Sequence, residues 1–398
     1  MTKNSHLRPA KIAWMKHLIL LAFLLFAGKS FSQEPLTLSD SSRISLMTVA
    51  PGEFLYSTFG HSAIRVLDPA NRLDRCYNYG TFDFEQPNFV LKFCRGKLLY
   101  FLDIEPYKSF ERGNLLDQRA MSEQVLNLDS TQKQLLFNLL QENAREENRF
   151  YKYDFFYDNC ATRIRDIVEK TFPQPIVWDS SQLALGTTMR QLLNPYMASQ
   201  PWTHFGMNLG LGYAADRRAL ARDFMFLPDY VHDMFASARI DDTTALVVGE
   251  RHVPEMSFPK TEYKPGFFGR PLWVMILVAV IGIAAMFNRR TARIFDTIFW
   301  FVLGAAGLVL ALLWFATDHS ATKINFNLLW ALPTHLLVFW RSHKSGWIRQ
   351  YFIVAGALAL LTLVFWKIIP QEMPVAAIPL AALVAVKGLW KYVETKRR

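Results

Sequence analysis

The stretch YDNCATRIRDIVEK places Cys160 where a helix should begin. Asn159 or Asp158 can cap that helix, which puts the thiol in its first turn. There the free amides and the helix dipole favour a thiolate and lower its pKa. Ile164, Ile167 and Val168 form the apolar stripe of the helix, and Cys160, four residues before Ile164, shares that inward face. A thiol so placed can attack a carbonyl, whereas an ordinary buried Cys is only a small hydrophobe. Attack needs a base and a group that orients the base. The best-placed histidine is His61, which follows Gly60 at the start of the alternating stretch HSAIRVL. His204, His232 and His252 stand in less informative contexts. The orienting group should come from the neighbouring strand. Folding a hairpin about Ala70 and Asn71 brings His61 near Gly80, with Asn78 one same-face step away and Tyr79 and Asp83 as alternatives.

The elements that must carry these residues follow from local pattern. Residues 43–49 and 61–67 read as strands, the turn DPANRLD follows, and 75–82 is the hairpin partner. Residues 88–104 are apolar and fit helix or strand equally. A strand is expected over 122–128. A helix capped by Asp129 or Ser130 should run to about 146, and the helix opening at Cys160 should end before Pro173. Residues 149–157 are dense in aromatics and extended. Further helices are expected over 185–197 and 227–238, and residues 249–268, with Pro254, Pro259 and Pro265, read as a linker. An early hairpin followed by helices is α+β order. Three cysteines are an odd number, and a Cys76–Cys94 disulfide is open but has no special spacing to recommend it. No HExxH, paired-His spacing or acidic cluster suggests a metal, and no cofactor is implied.

The 398 residues are 51% hydrophobic and 14% aromatic, too apolar for a disordered chain, and no Gly-X-Y period, heptad run or tandem repeat is present. The net charge of +10 invites a nucleic-acid reading. Its distribution argues against one. Residues 1–32 carry five Lys and Arg and no acid; residues 33–265 carry 25 against 30; residues 266–398 carry 14 against 4. The positive excess sits beside apolar segments, as the positive-inside rule requires of a membrane protein.

Residues 1–32 have basic residues before an apolar run, then Ser30 and Ser32 at the −3 and −1 positions, which predicts a secretory signal cleaved after Ser32. Residues 33–265 are then an exported domain, and residues 266–398 a membrane domain with spans near 271–287, 296–316, 327–340, 351–369 and 374–390. Arg289, Arg290, Arg293, Arg341, Lys344, Arg349, Lys387, Lys391, Lys396, Arg397 and Arg398 fall on one side, and only Lys323 and Lys367 on the other. That asymmetry makes the basic loops and the C-terminus cytoplasmic, so the first span starts outside, in agreement with an exported N-terminal domain. The outer stretch TDHSATKINFNLLWALPTH holds Asp318, His319, Asn325 and Asn327 just outside the membrane and His335 inside the next span, a candidate substrate-binding set beside a plain solvated-loop reading.

A strand His ahead of a helix-start Cys resembles the circularly permuted papain-like group, which includes lecithin–retinol acyltransferases and relatives of the NlpC-type peptidases. Longer blocks are similar to the Lnb family of bacterial lipoprotein N-acyltransferases: APGEFLYSTFGHSAIRVLDP, YNYGTFDFEQPNFVLKFCRGKL, ENRFYKYDFFYDNCATRIRDIVEK, MFLPDYVHDMF and the outer stretch just quoted. The resemblance runs from about Ser45 to about His335. It implies that Cys160 is the nucleophile and His61 the base, with Asn78 as third member assigned by hairpin geometry. It also implies an acyl chain taken from a phospholipid and passed to the α-amino group of the diacylglyceryl-modified N-terminal Cys of a lipoprotein. The expected fold is then an NlpC-like exported domain followed by about five transmembrane helices in the bacterial inner membrane. The partners are phospholipid, lipidated lipoproteins and the membrane, and no nucleic acid. One rival is a membrane-tethered NlpC-like peptidase or amidase acting on cell-wall peptide, with water as acceptor. A second is a non-catalytic envelope binding module.

Overall fold

The computed structural model describes residues 36–254, 265–341 and 346–396; the expected signal segment lies outside them. Seven strands form one sheet: β1 (Arg43–Val49), β2 (His61–Asp68), β3 (Leu73–Thr81), β4 (Leu99–Pro106), β5 (Met121–Leu126), β6 (Phe150–Lys152) and β7 (Val247–Val253). Their order is β6-β4-β3-β2-β1-β5-β7, every pair antiparallel. Between the strands lie α1 (Phe89–Cys94), α2 (Tyr107–Leu116), α3 (Ser130–Asn143) and α4 (Cys160–Glu169). The helical region that follows includes α5 (Pro201–Gly210) and α6 (Pro228–Ser237). The C-terminal part holds α7 (Pro271–Ala284), α8 (Arg289–Phe315), α9 (Trp347–Val364) and α10 (Ile378–Lys396). The architecture is α+β: a sheet-rich N-terminal part and a helical C-terminal part.

The hairpin register is the one its sequence predicts. Leu67 pairs with Asp74 and Ile64 with Tyr77, so the turn closes over 69–72, where Arg72 takes a left-handed φ of 52°. Asn71 Nδ2 donates to Asp68 at 2.7 Å and stiffens the turn. Both faces of the central strands are buried. Met47, Ala63 and Cys76 pack with Tyr107 and Phe110 of α2 on one side. On the other, Tyr77 and Tyr79 take hydrogen bonds from Gln141 and Asn143 of α3. The helix α3 is held at its start by a capping box in which Asp129 and Gln132 satisfy each other's amides.

The ambiguous stretch 88–104 resolves into both readings: α1, then β4. The expected linker 249–268 needs correction, because residues 247–253 pair with β5 as the outermost strand. Its sequence, VVGERHV, looks like a loop, but an edge strand tolerates charge. Arg251 also reaches across to Glu123 at 2.6 Å, and Glu123 in turn meets buried Arg65 at 3.0 Å. Cys76 and Cys94 do not pair; Cys76 is buried in β3 and Cys94 is exposed at the end of α1.

In the C-terminal part, α8 (27 residues) and α9 (18 residues) are long and apolar enough to cross a bilayer, and the apolar stretches Pro271–Phe287 and Val375–Trp390 are shorter. The expected span 327–340 is not a continuous helix. It is a 3-10 turn over Phe326–Leu329, a single α turn at His335–Val338 and a 3-10 turn over Phe339–Arg341, with Pro333 between the first two. Irregular backbone of this kind persists at membrane depth only where protein covers it. Asn327, Trp330, Ala331 and His335 are all buried, and Trp300 of α8 packs 4.7 Å from the His335 ring. Lys387 also departs from expectation. It is no flanking loop charge but is buried within α10, 2.6 Å from Asp296 and donating to the Gly282 carbonyl at 3.1 Å.

Candidate active site

The first turn of α4 is fixed by Asn159. Its Oδ1 accepts from the Thr162 amide at 2.9 Å, while the Thr162 hydroxyl accepts from the Asn159 amide at 2.8 Å. The Asn159 side-chain amide also donates to the Phe155 carbonyl just before the helix and to the distant Phe226 carbonyl. Asp158, the other candidate cap, pairs instead with Arg163 at 2.5 Å. Cys160 is therefore the first residue of a helix whose position is set from three directions, and its side chain is 7% exposed.

The strand end opposite it is shaped by two glycines. Gly60 has φ +78°, and a Cβ there would stand 2.8 Å from the Val49 carbonyl oxygen, so only Gly lets the chain enter β2 at His61. Gly80 has φ +88° and lies in the bulge between Asn78 and Thr81. A bulge re-aims the side chains beside it. Here it brings the β3 backbone against Cys160, since a Cβ on Gly80 would lie 3.6 Å from the Cys160 Cβ.

His61 joins the two groups. Its Nε2 makes a short hydrogen bond with Asn78 Oδ1, and the imidazole hydrogen-bonds the Cys160 thiol. With Nε2 turned to Asn78, Nδ1 is the nitrogen left for the sulfur. Burial works against charge on either group. At Cys160, His61 and the N–H groups of Ser62 and Ala161 outweigh burial, and the thiol pKa is lowered. At His61, the sulfur and the hydrogen bonds the ring makes with Cys160 and Asn78 outweigh burial, and the imidazole pKa is raised. Both shifts stem from the contact between the two groups and run in the direction of thiolate and imidazolium, the form in which a sulfur nucleophile attacks.

Three further residues stand at this site; Glu105 and Arg119 had no usable signal in the sequence, and Tyr151 only its place in the aromatic run before Cys160. Glu105 Oε1 accepts from Asn78 Nδ2 at 3.4 Å, which turns the Asn78 oxygen toward His61. It sits on β4, a strand whose register was not legible. Arg119 is 8% exposed; its Nε donates to the Ala50 carbonyl, and its Nη2 has no hydrogen-bond partner among the described residues. Its charge favours the thiolate and opposes the imidazolium. Tyr151 lies under the Arg163 guanidinium at 3.5 Å, and its buried hydroxyl, 3.8 Å from the Gly80 Cβ position, has no partner among the described residues. The other two candidates for the third member stand elsewhere. The Tyr79 hydroxyl accepts from Asn143, and Asp83 is exposed and accepts from the Glu85 amide.

Residues 35–195 match the family model of the Lnb N-terminal periplasmic domain, and residues 264–398 match that of the Lnb transmembrane domain. The chain belongs to the Lnb type. It is a membrane protein with a periplasmic domain, and Cys160, His61 and Asn78 all lie in the part matched to that Lnb periplasmic domain. Neither a curated protein nor a solved structure matches the chain.

In this Lnb-type chain the outer-loop residues are spread through internal contacts. Asp318 pairs with Lys152 at 3.3 Å, and its amide donates to the Arg95 carbonyl at 2.9 Å. His319 meets the Phe93 carbonyl at 3.2 Å. Asn325 donates to the Leu209 and Gly210 carbonyls, and Asn327 binds Asn325 and Trp330. His335 Nδ1 meets the Tyr351 hydroxyl at 2.8 Å. They do not converge on one point, and all five hold backbone or side chains of other segments, Asn327 through the Leu209 carbonyl. A cavity of about 410 Å³ is lined by residues that include His204, Arg270 and Glu372 but none of the catalytic candidates. Among the described residues no group of three His, Cys, Asp or Glu side chains is placed to hold a metal.

Proposed function

We propose that this protein is a lipoprotein N-acyltransferase of the permuted papain-like kind, working at the outer face of the bacterial inner membrane. The observation that carries the reading is the Cys160–His61–Asn78 arrangement in a domain joined directly to a membrane domain of the Lnb type. The Cys160 thiolate attacks an ester carbonyl of a phospholipid. Amides at the start of α4 hold the oxyanion. The imidazolium gives its proton to the departing alkoxide, the lyso-lipid leaves, and a thioester remains on Cys160. The α-amino group of a diacylglyceryl-modified lipoprotein then attacks the thioester while His61 takes its proton. The amide forms, the thiolate leaves, and the ion pair is restored. A thioester is reactive enough to make an amide without ATP, and two half-reactions through one covalent intermediate give ping-pong kinetics.

Membrane anchoring suits two substrates that are both confined to the bilayer surface. We read five crossings, made by α7, α8, the broken segment 326–341, α9 and α10, with the C-terminus in the cytoplasm. In this reading the outer loop joins the periplasmic and membrane domains, with Asp318 and His319 gripping the segment 93–96 and Asn325 and Asn327 gripping the end of α5. The test is the N-terminal acylation state of a reporter lipoprotein, read by mass spectrometry in cells lacking this protein and complemented with wild type or Cys160→Ala. Wild type alone should add the third acyl chain. The same acylation in all three strains refutes the reading, and wall peptides released only when Cys160 is present favour the hydrolase.

A further inference from the structure

The segment from Phe82 to Lys97 carries an unusual load of open apolar surface. Phe84 is 65% exposed, Val90 70%, Leu91 57% and Phe93 48%. A domain surrounded by water rarely leaves four large apolar side chains open within ten residues. Lys92, Arg95 and Lys97 are interleaved with them, the mixture expected of a segment lying at a lipid–water boundary. Its position matches that composition. The carbonyls of Phe93 and Arg95 are held by His319 and by the Asp318 amide, and Asp318 follows three residues after Phe315, the last residue of the long apolar helix α8. The segment is thus pinned at the level where a membrane-crossing helix emerges.

A row of rings leads inward from it. Phe89 lies 5.1 Å from Phe84 and 6.1 Å from Phe93, Phe82 lies 5.9 Å from Phe89, and Tyr100 lies 5.2 Å from Phe82. Tyr153 stacks on Tyr100 at 4.4 Å. The Tyr153 ring edge and the Cys160 Cβ both stand 3.6 Å from the Gly80 Cβ position, so the row ends against the nucleophile. Phe82, Phe89, Tyr100 and Tyr153 are each only half-buried, so the row is not the interior of the domain.

We infer that α1 and its flanks rest in the outer leaflet, and that the ring row Phe89–Phe82–Tyr100–Tyr153 takes up the acyl chain of the phospholipid whose ester reaches Cys160. The lipid contact of α1 stands by itself; the use of the row rests on the phospholipid-donor reading above. Two measurements on the full-length protein in phosphatidylglycerol vesicles test the inference. In Cys160→Ala protein, a nitroxide on the exposed native Cys94 should be relaxed more by oxygen than by a water-soluble nickel complex. The reverse order removes α1 from the leaflet. With Cys160 intact, Phe82→Ala and the milder Phe82→Leu should lower the ratio of Cys160 acylation by palmitoyl phospholipid to acylation by nitrophenyl butyrate, for the alanine variant by about tenfold. An unchanged ratio in folded protein overturns the acyl row. Wild-type protein that accepts the butyrate but never the phospholipid overturns the donor reading instead, while the Cys94 result still reports on α1.

Discussion

Removing the Asn78 side chain tests how the base is held. Asn78 Oδ1 accepts from His61 Nε2, and Asn78 Nδ2 donates to Glu105 at 3.4 Å. When His61 is an imidazolium, the first bond is to a charged group, and such a bond contributes about 1.5–3 kcal/mol. Asn78→Ala should therefore slow acylation of Cys160 by roughly ten- to a hundredfold, since each 1.36 kcal/mol is tenfold in rate. The Glu105 contact, at 3.4 Å, is near the outer limit of a hydrogen bond and contributes about 1 kcal/mol or less. Glu105→Gln should cost about fivefold at most, which is the rate equivalent of that energy. Glu105 acts only through Asn78, so the double variant should be no slower than Asn78→Ala alone. The assay is stopped-flow acylation of Cys160 by a chromogenic ester across pH, with chemical denaturation checking that each variant folds. Additive losses from the two substitutions, or an Asn78→Ala rate equal to wild type, would refute the relay. A positioning role also predicts a shifted pH profile, which a general loss of stability would not produce.

The lowered Cys160 pKa sets a second expectation: iodoacetamide should alkylate Cys160 with a midpoint below the ordinary thiol value of 9.0, and His61→Ala should move that midpoint upward. Acyl transfer should fall again once pH passes the raised His61 pKa, because the leaving alkoxide loses its proton donor, whereas alkylation should not fall. At the joint between the domains, a Cβ on Gly212 would stand 2.0 Å from the Lys323 carbonyl oxygen, so Gly212→Ala should destabilise the protein by about 1–3 kcal/mol in thermal unfolding. Within the membrane domain, Lys387→Met alone should cost about 3–5 kcal/mol by leaving Asp296 a buried charge, and adding Asp296→Leu should recover most of it.

The site was more legible in the sequence than the fold around it. Cys160 and His61 stand out because a cap, a helix start and a strand start are local patterns, and the hairpin turn fixed the register that leads to Asn78. Glu105 was hidden because β4 follows a short helix inside one apolar run, where periodicity cannot separate the two. Arg119 and Tyr151 reach the site only through tertiary packing. The edge strand β7 looked like a linker because its charges pair across the sheet with residues far away in sequence. In the membrane domain, hydropathy marked the apolar stretches but could not show that 326–341 is broken, since Asn327 and Trp330 satisfy each other and Asn325 within the protein. Hydropathy likewise counted Lys387 as a flanking charge, although it pairs with Asp296 of α8.

The central claim is that Cys160 carries an acyl chain from a phospholipid to an amine. Purified full-length protein in phospholipid vesicles, quenched in acid and digested, should yield the peptide containing Cys160 with an added fatty acyl mass. That mass should be removed by hydroxylamine, disappear when a diacylglyceryl-cysteine peptide is added, and reappear on the amine of that peptide. An unmodified Cys160 peptide in protein whose thiol still reacts rapidly with iodoacetamide would contradict the account.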